Sequence, residues 1–470
     1  MLLILTLLYF YGPTEMIRFY ILCLMILVGV TVLQFGFSND STKNISNKYF
    51  RHSFLFLFSY LIVHYQYYID FLLGYVDNRR FDIWVNEKIV ISAMILSTMG
   101  LFSFLIGYFS FNKKPINKYK LQMRLNIRPL EYLGIILLTL YFYFIDVKYL
   151  FGNYGRIFMG TEASYIIQVF EVVLLAIIIQ NTMNFSSSRN LQIKFLEFLK
   201  KQGVIFNILL LIYFISTIIS GDRGPIIFYS IAIYSSYIYV TSKIVKPVII
   251  IILLIIGTST ISILGIVRTV KSESSFISKL GFVLSSESQI VNRFGTNSFA
   301  PQTQNLAGSI KCLNYAVDYI PEKHRFMYGR FQLQQLTSVI PFFSFINRLF
   351  INENHWRYLN SSNFITWISQ GENPYSGEGS TIVADFYLDF GFIGVIIGMF
   401  LAGYVMRYAE LVMFHRYIPS LFQLTVSIVL ISRTIYIPRS SLLILLKLVV
   451  WTYVVLLFNK YFNSKKILKH

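Results

Sequence analysis

The chain has 470 residues, of which 55% are apolar, 17% aromatic and only 13% charged. So few charges cannot build a water-facing surface around 54.8 kDa, which excludes a soluble enzyme, and so many aromatic residues exclude a disordered chain. An all-α polytopic membrane protein remains, and its net charge of 41 − 22 = +19 then reports on loop orientation and not on nucleic acid.

A bilayer core of about 30 Å needs about 20 apolar residues in a helix. In chain order, the runs that meet or approach this are 17–37, 52–76, 88–111, 129–150, 165–183, 203–220, 223–241, 245–267, 381–405, 418–437 and 441–459. A shorter run, Leu2–Tyr11, precedes them and is set off by Gly12-Pro13, for about twelve spans in all. No cleavable-signal pattern follows that first run, so targeting is expected to come from the spans themselves.

The loops orient these spans. Residues 112–128 hold six Lys or Arg and no acid, 184–202 hold four basic residues and one acid, and 459–470 hold four Lys. Lys243 and Lys246 occupy the short loop 242–246. These are alternate loops, so they share one side, which the positive-inside rule makes cytoplasmic. Both termini then lie inside. The tight turns Gly221-Asp222-Arg223 and Pro438-Arg439-Ser440 fall on the opposite face, with the 113-residue segment 268–380. That segment has 10 Lys or Arg and 7 Asp or Glu, the charge of a folded periplasmic domain. The expected organisation is helices at 1–267, a large loop domain at 268–380 and helices at 381–470.

Ionisable groups inside spans are costly and mark candidate sites. His64 and Asp70 are six residues apart, on nearly opposite faces of one helix, so they do not pair directly. They and Glu171 read as structural. Arg433, Arg439 and Lys447 lie within about two turns of one hairpin tip, with Arg223 at the other tight turn and Arg268 opening the large loop. A cationic rim on the face that should be poor in Lys and Arg suits an anion, and the guanidinium fork suits phosphate or diphosphate at headgroup level. Gly221-Asp222-Arg223-Gly224-Pro225 adds a tight turn and a helix start whose free amides favour the same ligand.

Within the large loop, Tyr328-Gly329-Arg330 precedes Leu333, Leu336, Val339, Ile340 and Pro341. This reads as an amphipathic helix on the membrane surface that stops at the proline. His355-Trp356-Arg357-Tyr358, Trp367 and Gln370 to Tyr375 combine aromatic faces with amides and acids, as sugar contacts require. Asp385 and Asp389 follow, spaced i, i+4 on one helix face. They are either charge partners of the arginines or, for Asp385, a general base. Glu378, between glycines, is a second candidate base, and His324 and His355 are others. Cys23 and Cys312 have no spacing that supports a disulfide, and no metal, nucleotide or cofactor motif is present.

Four features in this order resemble the Wzy-type polymerases of O-antigen and capsule. They are Gly221-x-Arg223-Gly224, Tyr328-Gly329 followed by Pro341, the Ala384-Asp-x-Tyr-x-x-Phe-Gly-x-x-Gly394 run, and Arg439-Ser440-Ser441. Asp389 departs from the pattern, which has an amide there. The resemblance implies a GT-C-like glycosyltransferase of the bacterial inner membrane, acting at the periplasmic face on undecaprenyl-diphosphate-linked oligosaccharides. A polysaccharide chain-length regulator is the implied partner, besides membrane lipid. Arg223, Arg439, Asp385 and Glu378 would carry the chemistry, with Arg268, Tyr328, Arg330, Arg433, Lys447, His355 and Asp389 binding substrate. The competing readings are an O-antigen ligase-like enzyme and a lipid-linked oligosaccharide flippase.

Overall fold

The computed structural model of the chain describes residues 1–37, 49–111, 125–150, 159–186, 192–222, 224–246, 248, 298–341, 343, 356–414 and 419–467. Among these residues every regular element is a helix. The first group comprises α1 (Leu2–Tyr11), α2 (Arg18–Phe37), α3 (His52–Leu72), α4 (Phe81–Trp84), α5 (Glu87–Ser110), α6 (Arg128–Phe144), α7 (Val147–Leu150), α8 (Thr161–Ser186), α9 (Phe195–Lys201), α10 (Val204–Ser220) and α11 (Gly224–Thr241). The second comprises α12 (Gln304–Ala307), α13 (Ile310–Tyr319), α14 (Arg330–Thr337), α15 (Ser361–Gln370), α16 (Ile382–Phe414), α17 (Leu421–Arg433) and α18 (Ile444–Ile467). Short 3₁₀ turns occur at Pro301–Thr303, Trp356–Tyr358 and Ile437–Arg439. Every apolar run expected to span therefore coincides with a helix, except 245–267, most of which lies outside the described residues.

Five helices, α2, α5, α8, α16 and α18, are long and apolar enough to cross a bilayer. The pair α9 and α10 adds a sixth if its 105° bend lies within one span. The chain is thus a helical polytopic membrane protein. Local signals fix the helix starts. Asn86 accepts the Lys88 amide at 3.1 Å to cap α5, and Ser420 and Gln423 form a reciprocal capping box at α17. Gly221, left-handed at φ 89°, closes α10.

Two cores organise the bundle. One gathers α1, α2, α3, α5 and α16, and the other gathers α6, α8, α10, α11, α17 and α18. The first core continues without a break into the large loop. Ile310, Leu313, Phe331 and Phe364 belong to the same apolar cluster as Met94, Val383 and Tyr387. Polar bonds reinforce the join. Asp70 accepts the Ser298 hydroxyl at 2.9 Å and the Phe299 amide at 3.0 Å, and Thr303 donates to Gln66 at 2.6 Å. Asp70 thus anchors the returning loop to α3, and His64 instead meets the Ser97 hydroxyl at 3.2 Å.

Helix α14 turns its sides in an unusual sense. Leu333, Leu336 and Ile340 face outward, while Phe331, Gln332 and Gln335 are buried. The polar side of this helix is its inner side, and the reason lies in the site it covers.

Candidate functional site

Two sequence motifs about 60 residues apart form one joint. The Met327 amide donates to Leu388 O and the Tyr328 amide to Asp389 O, both at 2.9 Å. The chain then starts α14, and the Asp389 carboxyl accepts the Phe331 and Gln332 amides at 3.2 and 2.9 Å. Asp389 thereby satisfies amides that every helix start leaves open. On the other side, α16 breaks at Phe390-Gly391, where Gly391 takes φ 63°. A Cβ on Gly391 would sit 3.0 Å from the Phe326 ring, and one on Gly329 (φ 86°) would sit 2.7 Å from the Phe390 ring. Both glycines are therefore set by conformation and by space.

One turn before Asp389, Asp385 is fully buried. Gln332 Nε2 donates to it at 2.7 Å, Gln335 Nε2 reaches both its oxygens at 3.2 Å, and Ser361 Oγ donates at 2.5 Å. The Ser441 side chain lies close by. The i, i+4 spacing predicts a carboxyl turned toward the arginines or an acceptor hydroxyl. The structure gives Asp385 a ring of neutral donors and no ion pair among the described residues. This hub ties together α14, α15 and α16 beside the hairpin tip that carries Arg439, two residues before Ser441.

Glu378 forms a second focus. It is ion-paired with Lys311, its Oε1 accepts Gln370 Nε2 at 3.0 Å, and its amide donates to Thr366 Oγ1 at 3.0 Å. Burial alone would lower the Lys311 ammonium, but the bond to Glu378 outweighs it and the net direction is up. Beside them, burial and then the Glu378 charge push the Cys312 thiol up to about 12, while Lys311 and Arg439 act in the opposite sense. Lys311 pairs with Glu378, and Cys312 Sγ lies 3.5 Å from Glu378 O. Arg439 is partly exposed and has no carboxylate partner among the described residues.

The other rim cations differ. Arg433 pairs with Glu171 at 3.3 Å and lies 3.7 Å from the Phe228 ring centre, so its countercharge is inside the bundle. Tyr213 donates to the same glutamate at 2.7 Å. Lys447 donates to Gln168 at 2.7 Å and lies 4.5 Å from the Trp451 ring centre. Trp451 in turn donates to Val339 O at 2.7 Å, holding the end of the α14 segment against α18. Tyr328 is 71% exposed. Arg330 lies 4.6 Å from the Tyr358 ring centre, and Arg357 stacks on Tyr358 and Trp367 while pairing with Glu372 at 2.9 Å. His324 meets the Tyr358 hydroxyl at 3.4 Å. Arg223, Arg268 and His355 lie outside the described residues. Among the described residues, no three His, Cys, Asp or Glu side chains are grouped to hold a metal.

Several participants escape sequence reading. Lys311 is one loop cation among many, and Gln332, Gln335 and Ser361 carry no charge to single them out. The i, i+3 spacing of the two glutamines on a helix that starts after Tyr-Gly is the one usable signal. Arg407 and Glu410, in the last nine residues of α16, form a buried network. Tyr108 donates to Glu410 at 2.6 Å and accepts from Arg407 at 2.8 Å, and Glu410 also accepts the Ser53 amide at 2.6 Å.

No curated protein and no solved structure matches the chain. A family model does, over residues 1–466, and its description is O-antigen polysaccharide polymerase Wzy. A match over nearly the whole length, on a helical membrane bundle with this arrangement of motifs, shows that the chain belongs to the Wzy family of O-antigen polysaccharide polymerases.

Proposed function

We propose that the protein joins undecaprenyl-diphosphate-linked oligosaccharide repeat units into O-antigen or capsular polysaccharide at the periplasmic face of the inner membrane. The growing chain moves from its lipid diphosphate to the terminal sugar of a new repeat unit. The observation that carries this reading is Arg439. It is a partly exposed cation without a carboxylate partner among the described residues, on the tip of the last hairpin. We place twelve spans in a GT-C-like arrangement, with 268–380 on the periplasmic side, where a chain-length regulator would also meet it.

The reaction is a displacement at the anomeric carbon. The acceptor hydroxyl attacks, the bond from carbon to the diphosphate oxygen breaks, and the lipid diphosphate leaves with the electron pair. Charge grows on the leaving group, so a fixed guanidinium stabilises the transition state more than the ground state. Arg439 supplies it, with Arg223 from the other tight turn and Lys447 below. Glu378 takes the proton of the acceptor hydroxyl, aimed by Lys311 and Gln370. Asp385 acts as a brace and not as the base, because it is fully buried, whereas Glu378 is partly exposed. Arg433 stays with Glu171. Tyr328, Arg330 and the aromatic face around Tyr358 and Trp367 contact sugar, and Asp389 holds α14 over the site.

Release of lipid diphosphate by purified Arg439 variants tests this. Arg439→Ala should lower kcat on the order of 10²- to 10³-fold, the cost of losing one transition-state donor. Arg439→Lys should recover little, since a point charge does not reproduce the fork. Wild-type turnover in Arg439→Ala would remove the basis of the proposal.

A further inference from the structure

Resting on that reading, we propose that the side-chain oxygens of Gln332 and Gln335 bind hydroxyl groups of the acceptor saccharide. A carboxyl facing several N–H donors serves as acceptor, so the amide nitrogens must turn toward Asp385. Gln332 Nε2 lies 2.7 Å from Asp385 Oδ2, and Gln335 Nε2 reaches both Asp385 oxygens. The two carboxamide oxygens then point elsewhere. Both are buried and have no hydrogen-bond partner among the described residues. The residues themselves are only 9% and 8% exposed.

A buried acceptor without a donor is a cost that folded proteins seldom carry. Here two occur three residues apart on one face of α14, both turned away from the same carboxyl, and Gln334 Oε1 on the same helix is a third. The missing partner is a donor. A cation would seek the Asp385 oxygens first, and those already receive Gln332, Gln335 and Ser361. Neighbouring hydroxyls on a sugar ring supply two donors a few ångströms apart, beside the hairpin of Arg439. The oxygens are shielded in the structure, so binding requires α14 to shift.

The experiment uses full-length protein in nanodiscs with a lipid-diphosphate donor and a repeat-unit acceptor, each varied separately. Gln335→Lys keeps a donor toward Asp385 and removes the acceptor oxygen. The expected result is a KM for the acceptor raised about tenfold or more, the worth of one hydrogen bond to a hydroxyl, with the KM for the donor and the Tm unchanged. An unchanged acceptor KM would overturn the proposal. A panel of mono-deoxy acceptors provides a reading on wild-type protein alone. At least one should bind about tenfold worse than the parent, and Gln335→Lys should no longer distinguish that one. A panel that wild type does not discriminate would also overturn it. Wild-type protein that makes no polymer at all would instead sink the polymerase reading on which the subsite rests.

Discussion

Replacing Asp385 with Ala separates a brace from a base. The substitution removes the acceptor for Gln332 Nε2 at 2.7 Å, Gln335 Nε2 at 3.2 Å and Ser361 Oγ at 2.5 Å, in a site that water does not reach. Each buried donor left without a partner costs about 1–3 kcal/mol, so three of them cost about 3 kcal/mol at the least. Partial recovery by repacking and loss of the carboxyl's own burial cost keep the total to about 3–5 kcal/mol. A loss of that size is a large part of the stability of a typical domain. The assay is thermal unfolding of purified protein in nanodiscs, followed by tryptophan fluorescence. Trp451 and Trp367 report from helices α18 and α15, on either side of the hub. The expected result is a Tm lowered on the order of 5 °C, with α14 and the 437–441 turn becoming open to protease before the rest of the fold. A normal Tm with abolished turnover would refute the brace and return Asp385 to the role of base.

Further outcomes follow from the same geometry. Gly391→Ala must place a side chain at φ 63° and displace the Phe326 ring, a cost of about 2 kcal/mol, and should lower Tm and polymer yield together. Wild-type stability there would mean that the α16 break is not required. Arg433→Met leaves Glu171 without its partner and should destabilise on the order of 3 kcal/mol, while the double replacement Glu171→Met with Arg433→Met recovers most of it. If the double variant is instead folded and inactive, Arg433 belongs with Arg439 in the chemistry. Glu378→Gln should keep the fold, since Gln370 and Thr366 still hold it, and should lower kcat by about 10²-fold or more. Unchanged kcat would remove Glu378 as the base.

The helices were legible because apolar runs near 20 residues can do little else, and each run within the described residues is a helix. Their true ends were less so. A run of apolar residues does not reveal that α16 continues past residue 405 to Arg407 and Glu410, because two charges end a hydropathy pattern even when they neutralise each other inside. The candidate site was legible where charge or glycine marked it. Arg439, Glu378, Asp385 and the Tyr328-Gly329 and Phe390-Gly391 pairs all stood out; the structure brings Asp385 and the two glycine pairs to the joint between α14 and α16, while Glu378 sits with Lys311 and Gln370. The roles were harder. One aspartate at i and another at i+4 look alike in sequence, yet Asp389 caps a helix and Asp385 gathers side chains from α14 and α15. The partners of a carboxyl lie 24 to 53 residues away in the chain, at Ser361, Gln335 and Gln332, and no local pattern encodes that distance. Arg433 and Arg439 also look alike, and only packing shows that Glu171, on α8, belongs to one of them.

On the proposed reading, this single chain polymerises glycan from a lipid diphosphate. The most direct measurement gives the purified protein a synthetic lipid-diphosphate repeat unit, with no other enzyme, and separates the products by length. A ladder of lengthening glycans, with one lipid diphosphate released per step and both slowed on the order of 10²- to 10³-fold in Arg439→Ala, is the predicted result. Substrate that binds and is returned unchanged by the wild-type protein would contradict the account.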